Sequence, residues 1–447
     1  MKRIYLAIMM LATIALSSCS DFLDITPVGK VLPTTVEDYR ALLTDGYAQT
    51  NNGYALAGFR TDDYTFVGGD DEAIYVEHFF WNENNGDVNT ALYSYKNLYK
   101  VIFTCNQVIA ANGKMTQGTK DLEEQLVAEA YALRASTYLD LMNIYSDIYS
   151  KADAATKLAV PVVTEPEIDL EVALDKSSIE AVFALIQSDI SSAKSLMKVN
   201  KQEEQALTYR FSKISLYALS SRVNLLMNNW GECIADANKV LEVKSDLQDL
   251  NSSDEDFLTY KSVENILAIH RIVTTYSQRN SFKVGVELGG MLSEDGCLRK
   301  AAMTFDDGKT VVKSNSEYKT TFRVPEVLLM LAEASLRLDT PDAATAKTQL
   351  KKLVEARYTT DAATKLKGSI DAMDNAQLLK EVLRQRRMEL AFQGKRWTDL
   401  KRLGKPSIVH EYGTGDSKRV ETLQENDSRY VIKFPTEAVR LNPNLLK

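Results

Sequence analysis

The chain has 447 residues, 45% of them hydrophobic and 26% charged, with a formal net charge of −8. That composition reads as soluble and globular, with room for a large buried core. It excludes a nucleic-acid binder, which needs a basic face, and broad adsorption to anionic lipid.

Lys2 and Arg3 precede an apolar run from Ile4 to Leu16, interrupted only by Thr13, and small residues come next in Leu16-Ser17-Ser18-Cys19. A positive end, a short apolar core and small residues make residues 1–18 a secretory signal. The run is too short to span a bilayer comfortably, which takes ~20 residues. Cys19 at the cut site is the expected lipidation residue, so the mature chain reads as a lipoprotein of residues 19–447, a single domain. With Cys19 acylated, Cys105, Cys233 and Cys297 remain. They allow at most one disulfide, not a framework, and are expected as buried free thiols.

Helical periodicity dominates the mature chain. Thr34-Thr35-Val36-Glu37 offers a capping box ahead of Val36, Tyr39, Leu42, Leu43 and Tyr47. The spacing predicts a long helix over 119–148, a capped helix behind Ser177 and Glu180, a helix pair over 212–228 and 231–243, and another over 325–338 and 342–358. A last long helix is predicted from Asn375 to Leu403, ending at Gly404 and Pro406. Ala128-Glu129-Ala130 and Ala332-Glu333-Ala334 open helices alike. Helix pairs joined by short turns point to tetratricopeptide-like units, so the expected fold is mainly α. Three stretches differ: about 50–90, 245–320 (with strand-like runs Ile266–Ile272, Phe282–Val286 and Thr310–Lys313) and 405–433. Long irregular stretches on a helical scaffold are where binding surfaces sit. They make the expected ligand-binding half.

Six blocks in order resemble the SusD/RagB family. They are Cys19 to Pro27, Tyr95 to Ile109, Glu129 to Tyr145, Phe322 to Ala334, Glu381 to Gly404, and Phe434-Pro435 with Leu441 to Asn444. Tyr95 stands near the family's usual Trp, and Ser146 replaces its usual Gly. The resemblance implies an outer-membrane, surface-facing lipoprotein. It would capture an oligosaccharide, or a peptide on the RagB side of the family, for a SusC-like TonB-dependent transporter. Within the fifth block, Arg386 and Glu389 are spaced to pair on one helix face. Trp397 reads as a core anchor, Trp230 as structural, and Arg134 as the partner of buried polar groups.

Catalytic chemistry is hard to find. His78, His270 and His410 lie far apart, with no H-E-x-x-H, C-x-x-C, G-x-S-x-G or phosphate loop. The pairs Asp62-Asp63 and Asp306-Asp307 and the run Asp70-Asp71-Glu72 read as solvated loop acids rather than the facing carboxyls of a glycosidase. Asp70-Asp71-Glu72 also supplies generic calcium ligands without an EF-hand pattern. No cofactor and no metal are expected.

The ligand-binding candidate is Tyr75 to Asn85, YVEHFFWNENN. Flat aromatics cover a sugar's C–H face and amides serve its hydroxyls. The residues chosen are Tyr75, Phe80, Trp81, Asn84 and Asn85, with Phe79 assigned to packing; starch binders of the family use an aromatic arc in this general region. Tyr276 and Arg279, in the TTYSQRNS stretch with Gln278 and Asn280, form a second candidate. Rival readings are a periplasmic helical-repeat scaffold and a glycan-cleaving enzyme.

Overall fold

The computed structural model describes residues 33–49, 53–69, 72–82, 93, 95–167, 172–253, 255–272, 281–304 and 317–447. Residues 1–18, Cys19 and the Thr310–Lys313 run lie outside them. The chain enters through α1 (Val36–Ala48). The Thr35 hydroxyl accepts from the Asp38 amide at 3.1 Å, and the Asp38 carboxylate accepts from the Thr35 amide at 2.9 Å. This box sits one residue beyond the predicted Thr34–Glu37 spacing, because Val36 is already the first helical residue. Three short elements come next: α2 (Gly53–Gly58), β1 (Tyr64–Phe66) and α3 (Glu72–Phe79).

The scaffold is then α4 (Tyr95–Ala110), α5 (Lys120–Tyr145), α6 (Ile179–Leu196), α7 (Lys213–Leu226) and α8 (Trp230–Leu241). Ser178, not Ser177, caps α6, its hydroxyl accepting from the Ala181 amide at 3.1 Å. α5 is buried at nearly every position from Gln125 to Tyr145, as a helix enclosed by neighbours must be. α5 packs on α4 and α6, α6 on α7, and α7 on α8. Asn228 makes the α7–α8 turn in the left-handed region, φ 60°, which Asn tolerates better than most residues.

An irregular stretch separates these helices from the next set, with β2 (Asn265–Leu267), β3 (Phe282–Val284), α9 (Val286–Leu292), α10 (Arg299–Met303) and β4 (Phe322–Arg323). The strand runs predicted at Ile266 and Phe282 shorten to three residues each. The scaffold resumes with α11 (Val324–Leu336), α12 (Ala343–Arg357), α13 (Thr360–Ala372) and α14 (Asn375–Glu389). α8 packs on α11, α11 on α12 and α14, and α12 on α13. The pairs α5–α6, α7–α8 and α11–α12 thus stack in a row, as the tetratricopeptide-like reading expects. The two Ala-Glu-Ala segments do not open their helices: residues 128–130 lie well inside α5 and residues 332–334 near the end of α11, because α5 already starts at Lys120 and α11 at Val324, but the glutamate of each segment is held by an arginine from elsewhere in the chain. Glu129 receives both arms of Arg40 at 2.6 and 3.0 Å, and Glu333 both arms of Arg402 at 2.6 and 2.8 Å. Arg134 fulfils its expected role, donating to Asp189 at 2.8 and 2.6 Å and to Asn106 at 2.7 Å.

The predicted helix over 375–403 is two helices. α14 stops at Glu389, Phe392 and Gly394 turn at φ 65° and 72°, and α15 (Arg396–Arg402) folds back. Thirteen residues of unbroken helix would set Asp399 about 20 Å from Arg386. Instead Arg386 Nε lies 2.9 Å from Asp399 Oδ2. The expected Arg386–Glu389 pair therefore does not form, and Glu389 turns to three other guanidinium groups. The chain closes with the hairpin β5 (Ile408–Tyr412) and β6 (Arg419–Leu423), then α16 (Thr436–Leu441). Trp397 is 1% exposed, the core anchor it was read to be, and Trp230 packs partly buried under Arg337. Cys105 and Cys233 are buried free thiols, whereas Cys297 is half-buried.

Candidate ligand-binding site

The three irregular stretches meet in one aromatic cluster. β1 pairs antiparallel with β3, placing Phe66 opposite Phe282. Phe282 stacks on Phe59 at 4.1 Å and meets Tyr64, Phe66, Tyr75 and Phe79 at 5.4 to 6.2 Å. Phe66 also meets Tyr412 of the hairpin at 4.8 Å. Residues from 50–90, 245–320 and 405–433 thus share one small core, each ring contact adding its geometry-dependent increment to the area buried.

That cluster decides where the predicted binding residues go. Tyr75, Phe80 and Trp81 are 5%, 0% and 1% exposed. Trp81 stacks on His410 at 4.2 Å and donates its indole N–H to the Arg60 carbonyl at 2.9 Å. His410 lies between Trp81 and Phe79, which stacks on its other face at 3.8 Å. Its ring nitrogens face the carbonyls of Phe79 at 2.7 Å and Thr61 at 3.2 Å. Burial lowers the His410 pKa to about 4 despite those carbonyls. Arg419 covers Phe80 at 4.2 Å. The expectation that Tyr75, Phe80 and Trp81 offer open faces to a sugar is corrected: each face is already covered. Asn84, Asn85, Tyr276 and Arg279 lie outside the described residues. Phe79 is packing, as assigned.

The acids divide similarly. Asp62 and Asp63 are not solvated loop acids. Arg396 grips Asp62 at 2.8 and 2.7 Å, and Arg387 Nε meets Asp63 Oδ1 at 2.8 Å. Burial raises the Asp63 pKa to about 6 against the pull of Arg396 and Arg387. Burial also works to raise that of Asp62, but Arg396 and Arg387 override it and lower it. These pairs tie the 50–69 stretch to α14 and α15. Asp70, Asp71, Asp306 and Asp307 lie outside the described residues. Among the described residues no three His, Cys, Asp or Glu side chains gather to hold a metal.

Some ends of the segments outside the described residues are paired. Val67 donates to the Ser281 carbonyl at 2.8 Å, and Ile272 to that of Tyr318 at 3.2 Å. A Cβ on Gly69, at φ +133°, would stand 2.9 Å from Ser281 Oγ. The residues before 70–71 and after 273–280 are thus held by the β1–β3 pair, and those before 273 and after 317 by the Arg271–Lys319 bridge. Sequence pattern could find the aromatic residues but not which side of each ring would be covered.

Known proteins share this fold. The model of the SusD family matches residues 290–447, and a model described as starch-binding, associating with outer membrane, matches residues 21–225. A SusD-like protein of Formosa agariphila is 24% identical over 241 residues, which is 51% of this chain and 43% of that protein. The match thus spans less than half the length of that curated relative. A SusD superfamily protein from Bacteroides thetaiotaomicron has the same fold at TM-score 0.74 and 18% identity, covering 92% of this chain and 99% of its own. A laminarin-binding SusD-like protein superposes at TM-score 0.65 and 17% identity, covering 92% and 98%. No described helix is long and apolar enough to cross a membrane.

Proposed function

This chain belongs to the SusD/RagB family, and on that footing we propose that it is a cell-surface binding protein for oligosaccharides. It captures its ligand without chemistry and passes it to a TonB-dependent transporter of the outer membrane. Residues 19–447 act as one domain, anchored through a lipid on Cys19. Several acyl chains suffice for stable anchoring where one does not.

The observation that carries the reading is the shared root of the three irregular stretches. Loops that must close around a flexible chain need a rigid base, since ordering them costs binding free energy. The Phe282 cluster and the Asp62–Arg396 and Asp63–Arg387 pairs supply such a base, and the helical row behind it supplies bulk. The laminarin binder of the same fold makes neutral glucans the first ligands to try. With Trp81 covered, Asn84, Asn85, Tyr276 and Arg279 remain the proposed sugar contacts.

The test is a titration screen of the mature chain, started at Ser20, against laminarin, starch and mixed-peptide pools. Saturable binding to a glycan pool supports the reading. Binding confined to peptides replaces it with RagB-like peptide capture. Co-purification of the full-length lipoprotein from its own membranes, with a large β-barrel partner retained in detergent, tests the transporter half.

A further inference from the structure

A second concavity lies where the end of α5 meets the C-terminal segment. It is a groove of about 560 Å³, within the size range of small-ligand sites. One wall carries Lys176, and the residues just before it are clamped to the C-terminal turn: Asn442 Nδ2 donates to the Leu174 carbonyl at 2.9 Å, and Asn444 Nδ2 to the Ala173 carbonyl at 3.2 Å. Asn444 also donates to Asp175 Oδ1 at 2.8 Å. The floor carries Phe434, half-buried and stacked on Tyr145 at 5.0 Å and 15°. Exposed Leu158 and Leu446 add apolar surface.

The charge of this lining is one-sided. Lys176, Arg429 and Lys433 line it, and among the described residues no carboxylate does, in a chain whose net charge is −8. Arg429 is committed, with both arms on Asp427 at 3.0 and 2.7 Å. Lys176 is different. It is half-buried, and among the described residues it has neither an acid nor a hydrogen-bond acceptor. Desolvation is the cause that lowers its pKa. A cation that gives up water without gaining a partner costs free energy, and an oxyanion placed against it would recover that cost through a charge-assisted hydrogen bond.

We propose that this groove is a second saccharide site, one that takes a sugar bearing an oxyanion, either a carboxylate or a sulfate ester. Lys176 meets the oxyanion, and the Phe434 ring covers the sugar's apolar face. The inference rests on the glycan-capture reading for its ligand class, but on none of the loop residues that reading invokes.

The experiment titrates the mature chain with four probes: tetragalacturonate, its full methyl ester, a carrageenan tetrasaccharide and a neutral laminarin hexasaccharide. Lys176→Gln and Lys176→Arg are titrated beside it. Among the described residues the Lys176 side chain makes no hydrogen bond or ion pair, so both variants are expected to keep the parent's circular dichroism spectrum and melting temperature. The expected result is salt-sensitive binding of at least one anionic sugar, weakened about tenfold in Lys176→Gln and largely kept in Lys176→Arg. Tetragalacturonate alone would name the carboxylate, carrageenan alone the sulfate. Equal affinity in Lys176→Gln, or for the uncharged methyl ester, overturns the inference. Laminarin binding without either anionic sugar overturns it too, while leaving glycan capture intact. Binding of none of the four overturns the inference, while glycan capture is then decided by the starch and peptide titrations.

Discussion

Arg357 and Glu389 share two hydrogen bonds, 2.9 Å from Nε to Oε2 and 3.0 Å from Nη2 to Oε1, with both side chains 0% exposed. Glu389 also takes Arg299 at 2.8 Å and Arg323 at 3.1 Å, and Glu264 takes Arg323 at 2.7 Å and Arg357 at 2.5 Å. The lattice joins α12 and α14 of the scaffold to the 264–323 stretch that holds the loop roots. Removing one member of a buried ionic network leaves uncompensated charge, at a cost of about 3–5 kcal/mol. Glu389→Gln is therefore expected to lower the unfolding free energy by that much or to abolish soluble expression. An unchanged midpoint in urea would show that the lattice does not hold the two halves.

Trp81 is expected to behave as a core residue. Trp81→Ala removes a ring stacked on His410 and the indole bond to Arg60, and large-to-alanine changes in cores cost about 3–5 kcal/mol. Equilibrium unfolding reads this directly. A variant of parental stability that has lost glycan binding would instead mark Trp81 as a ligand platform.

Acid should unfold the protein through its buried ion pairs. Burial opposes the charge on Asp399, but Arg386 and Arg402 outweigh it and hold its pKa at about 2. Glu326, Glu333 and Glu389 are likewise lowered by guanidinium partners against the effect of burial. A depressed carboxylate stabilises the fold fully above its unfolded value of about 4 and loses that contribution as pH falls toward the folded value. Asp63, raised to about 6, acts in the opposite sense, costing most above pH 6 and nothing below about 4. The free energy of unfolding should thus drop steeply from pH 4 to pH 2. A flat profile there, by denaturant titration at each pH, would contradict these pairings.

Burial also sorts the thiols. Cys105 and Cys233 are 0% exposed, and burial pushes the Cys233 thiol up to about 12. Thiolate is the reactive form, so in the native chain started at Ser20 an alkylating reagent should reach Cys297 first. The other two should react only in denaturant. Mass spectrometry of the labelled peptides checks this, and prompt labelling of Cys105 would speak against the α4–α5 packing.

The scaffold was legible because helices advertise themselves by period. The stacked pairs, the buried Trp397 and the role of Arg134 all come from spacing and residue type. What spacing could not reveal was which partner a buried charge would find. Arg386 and Glu389 are three apart, yet the left-handed turn at Phe392 and Gly394 brings Asp399 to Arg386, and Glu389 is taken by arginines 32 to 90 positions away. Trp81 misled for a related reason. Its neighbours in sequence are Asn- and Gly-rich, but its neighbour in space is His410, from the C-terminal hairpin. Lys176 carried no signal, because the groove it lines is made only when the C-terminal segment packs beside it.

The measurement that tests the central claim most directly is calorimetry of the mature chain with laminarin and starch oligosaccharides, run beside a mixed-peptide pool. Glycan capture predicts saturable, stoichiometric binding of at least one oligosaccharide and no heat from peptides. Saturable binding of peptides, with every oligosaccharide inert, would contradict it.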